Sequence, residues 1–315
     1  MSDYENRLDQ VEKFGLPEGF YPDNDLSDDY ALYVRDKESR VYLAKTDGED
    51  ECTEYNIKDG CFGIFENALT DSRFLKKLTI PESVRCIPEG ALSNSGSWAE
   101  TERGFETVEI NPENEKYFSD DFGVFEKMQD GLKLLLCLAD VEKNDNELIM
   151  PDNITSVGKN AFRGKKIYRV TFADGFSYSF PKHAFFNEEL LRQFGKNSPI
   201  YDFSEYDAFL LRNHFNADRI KMICERLMQD HMISDDMKEK LFSHVKDNLA
   251  EALKSLAAEN AVEQLRTMSE AGFFDEENID EAIDILNKTD NRELMTYLMD
   301  YKHENIGTLD FDFSI

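Results

Sequence analysis

The sequence predicts an α+β protein in which a short β-rich solenoid is followed by an α-helical hairpin-repeat domain. Two observations carry this. A fixed set of apolar spacings recurs through the first two thirds of the 315 residues, and beyond Pro199 glycine thins out while apolar residues take the three-and-four spacing of amphipathic helices. Composition sets the limits. With 41% apolar residues the chain can fold, and its 36 Lys plus Arg against 65 Asp plus Glu give a net charge of −29. Such a surface repels phosphate backbones, which argues against a nucleic-acid binder. No run approaches the ~20 apolar residues of a membrane helix, so no membrane insertion is expected.

Residues 1–52 read as an N-terminal cap with a β-hairpin. Ala31-Leu32-Tyr33-Val34 and Arg40-Val41-Tyr42-Leu43-Ala44 are extended runs joined by Asp36-Lys37-Glu38-Ser39. The terminal unit of a solenoid needs an atypical, more polar outer face.

Residues 53–198 carry the repeat. From Ile80, apolar residues fall at offsets 0, 4, 7, 11 and 12 (Ile80, Val84, Ile87, Ala91, Leu92). The same offsets recur at Ile57, Cys61, Ile64, Ala68 and Leu69, and again at Met150, Ile154, Val157, Ala161 and Phe162. A looser fourth copy runs through Phe172, Phe176, Phe180, Ala184 and Phe185, with one residue inserted midway. Leu78-Thr79-Ile80 alternates as a short strand does, and Pro81 stops its ladder because it has no N–H to donate. A second extended piece carries Val84 and Ile87. A tight corner follows at Gly90, or at Asn160 in another copy, and Ala91-Leu92 or Ala161-Phe162 plugs inward beyond it. One such unit cannot bury its apolar edge alone, so copies must stack.

The segments LKKLTIPESVRCIPEGAL and ELIMPDNITSVGKNAF resemble bacterial leucine-rich repeats of the BspA type, which read L-x-x-I-x-I-P-x-S-V-x-x-I-G-x-x-A-F. FETVEINPENEKYFSDDFGVF is similar to a recurrent interruption of those repeats. That insertion, at about 111–140, runs through a hairpin in which Val124 to Glu126 and Leu132 to Leu138 flank Asp130-Gly131. The resemblance covers roughly Thr53 to Phe186. It implies a leucine-rich-repeat solenoid with an extended protein-binding surface and, because the family is often found on bacterial cell surfaces, the alternative of an exported adhesion-type protein.

Residues 199–315 are expected to form an α-helical domain with an extended C-terminal tail. Four apolar stripes mark the helices: Ile220, Ile223, Leu227 and Met228; Leu249, Leu253 and Leu256; Ile279, Ala282, Ile283 and Leu286; and Leu294, Leu298 and Tyr301. Ser234 and Asp275 suit N-caps, which aligns helical hairpins about 41 residues apart. The segment Ala261 to Gly272 resembles the second helix and closing glycine of an ankyrin repeat, without that family's T-P-L-H signature. An ordinary helical bundle with these stripes as its core is the alternative.

Catalytic signatures fail when checked. G-x-S-x-G, H-E-x-x-H, G-x-x-x-x-G-K-[ST] and dinucleotide-binding patterns are all missing, and the five histidines lie apart from one another and from the cysteines. Asp23-Asn24-Asp25-Leu26-Ser27 has the first ligand spacing of a calcium loop, but Asp28 replaces the turn glycine and Val34 the bidentate glutamate. The reading is therefore no catalytic residue, no metal and no cofactor. A cryptic enzyme with an interdomain site near 187 to 216 is kept as an alternative.

Three residues are singled out for binding. Trp98, the only tryptophan, lies in the polar segment that begins at Ser93; it would pack back onto the solenoid edge or serve as an anchor for a partner protein. Phe311 and Phe313 belong to the alternating tail Leu309 to Ile315, a strand pattern that would dock in its own chain or form a homo-oligomer through a sheet edge. The five cysteines (Cys52, Cys61, Cys86, Cys137, Cys224) are odd in number and form no C-x-x-C pair, which reads as free thiols in a reducing compartment. The segment Met1 to Asn6 lacks the basic region and apolar core of a signal peptide. A cytoplasmic, non-catalytic protein-interaction module follows as the expectation, with the cell surface as the alternative location if a signal peptide has been removed.

Overall fold

The computed structural model describes residues 18–46, 51–70, 72, 74–92, 104–180, 203–212, 214–229 and 231–306. The chain divides into two compact units. Among the described residues, one holds those of 18–140 and 153–165, and the other those of 141–152, 166–180 and 203–306.

In the first unit β1 (Tyr21–Pro22), β2 (Ala31–Arg35) and β3 (Val41–Thr46) form an antiparallel meander. Its predicted hairpin turns at Ser39, whose φ is +65°, and the Asp36 carboxylate accepts the N–H groups of Glu38 and Arg40 at 2.9 Å. β4 (Glu54–Asn56) and β5 (Cys61–Ile64) follow, and β5 pairs in parallel with β3. β6 (Lys77–Ile80) then lies parallel to β4, and β7 (Thr107–Ile110) parallel to β6. The alternation in Lys77–Ile80 buries Leu78 and Ile80 completely, and Tyr55, Leu78 and Val108 stack as one apolar rung. Ile57 and Ile80 occupy successive rungs of one column, with the Ile57 N–H bonded to Thr79 O at 2.9 Å. The second extended piece of the repeat forms β5 in the copy from Ile57, but in the copy from Ile80 it is reduced to a single parallel bridge, Gly63 to Cys86.

The corners form where the sequence places them. Gly90 and Asn160 both have positive φ (+81° and +61°), and Ala68-Leu69, Ala91-Leu92 and Ala161-Phe162 are all buried beyond their corners. The insertion is a second antiparallel meander, β8 (Tyr117–Ser119), β9 (Gly123–Met128) and β10 (Gly131–Cys137). Asn114 anchors it by donating its side-chain amide to the carbonyls of Pro81 (3.1 Å) and Val84 (3.0 Å).

In the second unit, β11 (Glu147–Ile149) pairs in parallel with β13 (Arg169–Thr171), and Met150 donates to Thr171 O. Met150 and Phe172 thus repeat the relation of Ile57 to Ile80, although within the other unit. The intervening β12 (Ile154–Val157) belongs to the first unit, where it runs parallel to β10. The fourth repeat departs from the expectation. After Phe172 the chain reverses at Asp174-Gly175, where Gly175 has φ +89°, and returns as an antiparallel strand, β14 (Ser177–Ser179). Ala184 and Phe185 lie outside the described residues.

Seven α-helices follow among the described residues: α1 (Ser204–Leu210), α2 (Ala217–Gln229), α3 (Asp235–Asp247), α4 (Leu249–Glu259), α5 (Val262–Glu270), α6 (Ile279–Asn287) and α7 (Arg292–Tyr301). Of the predicted stripe on α2, Ile220 and Ile223 are fully buried, but Met228 is exposed. The buried face of α2 runs instead through Met222 to Arg226, because the helix packs against β14, α4 and α5. Ser234 caps α3 as expected, accepting the Met237 N–H at 3.2 Å. Asp275 does not cap a helix of the predicted pairing. It closes a turn by accepting the N–H groups of Glu277 and Asn278, and α6 begins after Asn278. Consequently α4–α5 and α6–α7 are the hairpins, with α6 packed on α4 and α7 on α5, and their N-caps Ala261 and Asn291 stand 30 residues apart instead of 41. No helix among the described residues is long and apolar enough to cross a membrane.

Candidate interaction surface

The sequence-derived binding residues Trp98, Phe311 and Phe313 lie outside the described residues, as do the alternating tail and most of the segment near 187 to 216. The described surface that the repeat builds is the outward face of its parallel strands.

Because side chains alternate, burial of Tyr55, Leu78 and Val108 turns Glu54, Asn56, Lys77, Thr79, Thr107 and Glu109 outward. Lys77 lies opposite Glu54 in register and bonds Glu109 at 2.8 Å. The Glu109 carboxylate beside it holds the Lys77 ammonium above the usual lysine range, an effect that outweighs desolvation. Lys76 and Glu106 approach to 3.6 Å along the same edge.

The second unit carries a matching face. Arg169 lies opposite Glu147, its guanidinium 4.0 Å from that carboxylate and 3.4 Å from Glu225 of α2, and it donates to Ser177 Oγ at 2.5 Å. Thr171 bonds Glu147. Beside this polar row Ile149 is 61% exposed. Each sheet face is thus a row of fixed, paired charges on a buried apolar floor, suited to recognising complementary charge and hydrogen-bonding groups.

Around α2 the second unit also contains a buried polar network that sequence reasoning missed. Arg226 is fully buried. It forms a fork with Asp207 (Nε–Oδ1 2.7 Å, Nη2–Oδ2 3.1 Å), donates to the carbonyls of His231 and Met232, and lies 4.4 Å over the Phe203 ring. One residue back on the helix, Glu225 accepts the N–H and hydroxyl of Ser179 at 2.9 and 3.1 Å. Gln229 accepts the Ser177 N–H at 3.1 Å and donates to its carbonyl at 2.5 Å. These side chains take the place of a next strand along β14. The available signal was the Cys224-Glu225-Arg226 run between apolar positions of a helix, where two charges fall on the buried face.

Burial disfavours the reactive thiolate at three of the cysteines. All five are free, and burial pushes the Cys61 and Cys137 thiols up to about 11 and the Cys224 thiol higher still. Among the described residues no group of three or more His, Cys, Asp or Glu side chains is placed to hold a metal ion.

Residues 48–113 and 142–216 match, in six copies, the family described as BspA type leucine rich repeat region. The repeat-bearing part of this chain is a BspA-type leucine-rich repeat region. Six copies replace the four that spacing alone picks out, and the gap between the two matched stretches contains β8 to β10. No curated protein matches the chain. Three solved structures are similar to it. The pneumococcal vaccine antigen PcpA is 18% identical, covers 39% of this chain and 34% of its own, and has a TM-score of 0.30. A leucine-rich repeat protein from Eubacterium ventriosum is 11% identical over 48% and 59%, with a TM-score of 0.23. A leucine rich cell surface protein from Faecalibacterium prausnitzii is 15% identical over 49% and 33%, with a TM-score of 0.26. The chain spans less than two thirds of each of these structures. A BspA-type region fits a protein-interaction or surface role.

Proposed function

We propose that this chain is a non-catalytic protein-interaction module that binds a protein partner through the outward face of its BspA-type sheets. The observation that carries the reading is the row of paired charges Glu54, Lys77 and Glu109 above a fully buried apolar rung. Exposed ion pairs of this kind contribute only about 0–1 kcal/mol to folding, so their charges are available for recognition at little structural cost. The buried, high-pKa thiols support a reducing, cytoplasmic setting, with an exported surface protein as the alternative.

The test is affinity capture from the native host with the full chain and with a Lys77→Glu, Thr79→Arg variant. A protein retained by the native chain and lost with the variant, while thermal stability is unchanged, supports the proposal. Equal retention by both removes this face from binding, and recovery of no protein above background removes the interaction reading. Cell fractionation separates the two locations, since recovery with the envelope would favour the surface alternative.

A further inference from the structure

The two antiparallel meanders share one hydrogen-bond pattern from the turn before their second strands onward. In the first, Asp28 accepts the N–H groups of Tyr30 (3.1 Å) and Ala31 (2.8 Å), and its own N–H reaches Ala31 O at 3.0 Å. In the second, Asp120 accepts from Phe122 (2.8 Å) and Gly123 (3.0 Å), and its N–H reaches Gly123 O at 3.0 Å. The sequences there are Ser27-Asp28-Asp29-Tyr30 and Ser119-Asp120-Asp121-Phe122.

The agreement extends along the chain. Leu32↔Lys45 and Tyr33↔Leu43 have their counterparts in Val124↔Leu136 and Phe125↔Leu134, with one residue skipped at the same place. Val41↔Cys61 and Tyr42↔Gly63 correspond to Leu132↔Ile154 and Lys133↔Ser156, again with the same irregularity. The Phe65 N–H bonds Leu43 O as Gly158 bonds Leu134 O, and Thr46 bonds Ala68 O as Cys137 bonds Ala161 O. Lys76 and Lys77 both donate to Thr53 O, as Tyr168 and Arg169 do to Asn146 O. Every correspondence lies 91 to 93 residues apart. Two bulges and one Asx turn recurring in the same order are not required by a leucine-rich repeat, whose own period here is 23 residues, from Ile57 to Ile80.

The copies differ in what covers one face. In the second copy the turn of the preceding repeat lies over it. Glu89 bonds Lys133 Nζ at 2.5 Å and accepts the Lys159 N–H at 3.1 Å, and any side chain at Gly158 would approach Glu89. In the first copy the corresponding positions are Tyr42 and Phe65, and the ring of Phe20 lies against both, with centroids at 5.5 and 5.1 Å. Phe62, with Arg40 over its ring, extends this aromatic face.

We infer that the solenoid is a tandem duplication of one module of about 92 residues, and that the strap Glu18–Pro22 plugs the repeat-docking face of the first copy through Phe20, in the place that the Glu89 turn holds in the second. The face under the strap is fitted to a solenoid turn, and this chain covers it with its own aromatic ring. The first strands of the two meanders pair three residues out of step, Pro22↔Val34 against Tyr117↔Glu126, so Gly19 and Pro22, 95 residues back, stand where Asn114 and Tyr117 tie the second meander to the preceding turn through Val84 O and the Ile87 N–H.

Amide hydrogen exchange on the full chain tests this at two equivalent reporters, Phe65 and Gly158. Phe20→Ala is expected to speed exchange at Phe65 about tenfold, the factor equivalent to about 1.4 kcal/mol, and to leave Gly158 unchanged. Glu89→Ala should do the reverse. Phe20→Leu, which keeps an apolar plug, guards against general unfolding and should fall between native and Phe20→Ala. Unchanged exchange at Phe65 in Phe20→Ala, or equal acceleration of both amides by either variant, would overturn the assignment.

Discussion

The strongest quantitative expectation concerns the buried fork between Asp207 and Arg226. With Asp207→Ala the guanidinium keeps the carbonyls of His231 and Met232 and the face of Phe203, but loses both carboxylate bonds, at 2.7 and 3.1 Å, in a site closed to water. Breaking a buried pair by removing one partner costs about 3–5 kcal/mol, because the remaining charge stays buried without compensation. For a unit of this size each kcal/mol lowers Tm by about 2–4 °C, so a fall of roughly 10 °C is expected. Urea denaturation followed by far-ultraviolet circular dichroism measures the free energy directly. The paired change Asp207→Leu with Arg226→Met removes both charges and should recover most of the loss. If Asp207→Ala costs under about 1 kcal/mol, or the double variant is worse than the single, the account of an essential buried pair is wrong.

Three further outcomes follow from other sites. Gln229→Ala frees both backbone groups of Ser177 along β14, so self-association that grows with concentration should appear in analytical ultracentrifugation, and a monomer at all concentrations would refute the edge-closing role. His231 is buried with its Nε2 3.0 Å from Asp174 and its Nδ1 without a hydrogen-bond partner, and burial, with help from Arg226 and against Asp174, lowers its pKa below 6.5. A histidine favoured neutral in the folded state gives full stability above about pH 6.5 and loses it as pH falls toward the lower folded value, so His231→Gln should flatten the pH dependence of Tm just below about pH 6.5. At Gly123 a Cβ would lie 2.4 Å from Leu136 O and 2.7 Å from Leu134 Cδ1; Gly123→Ala should therefore cost about 1–3 kcal/mol by denaturant titration, and a neutral result would show that β9 and β10 can separate.

The apolar columns were legible because residues stacked on successive turns must repeat their spacing, as Ile57 and Ile80 do in the first unit and Met150 and Phe172 in the second. The corners at Gly90 and Asn160 were legible for a local reason, the residue types that tolerate positive φ. What escaped the sequence depends on partners far along the chain. The reversal at Asp174-Gly175 looks like a loose repeat until Glu225 and Gln229, some 50 residues on, are seen bonding the returning strand. The helical period was misread because Asp275, a good cap by residue type, closes a turn three residues before the helix that Asn278 precedes. The matched meanders hid behind different side chains, since the pairing register repeats where the residues do not.

The hairpin at β9 and β10 also bears on how the chain reaches its folded state. Gly131 pairs with Met128 three residues away, whereas each parallel rung joins residues far apart, such as Glu54 with Lys77 and Lys77 with Thr107. Closing a short loop takes far less time and entropy than closing a long one. By that measure the β9–β10 hairpin closes before any parallel rung, and Lys77 to Thr107, 30 residues apart, is the longest loop that a parallel rung of the described strands closes.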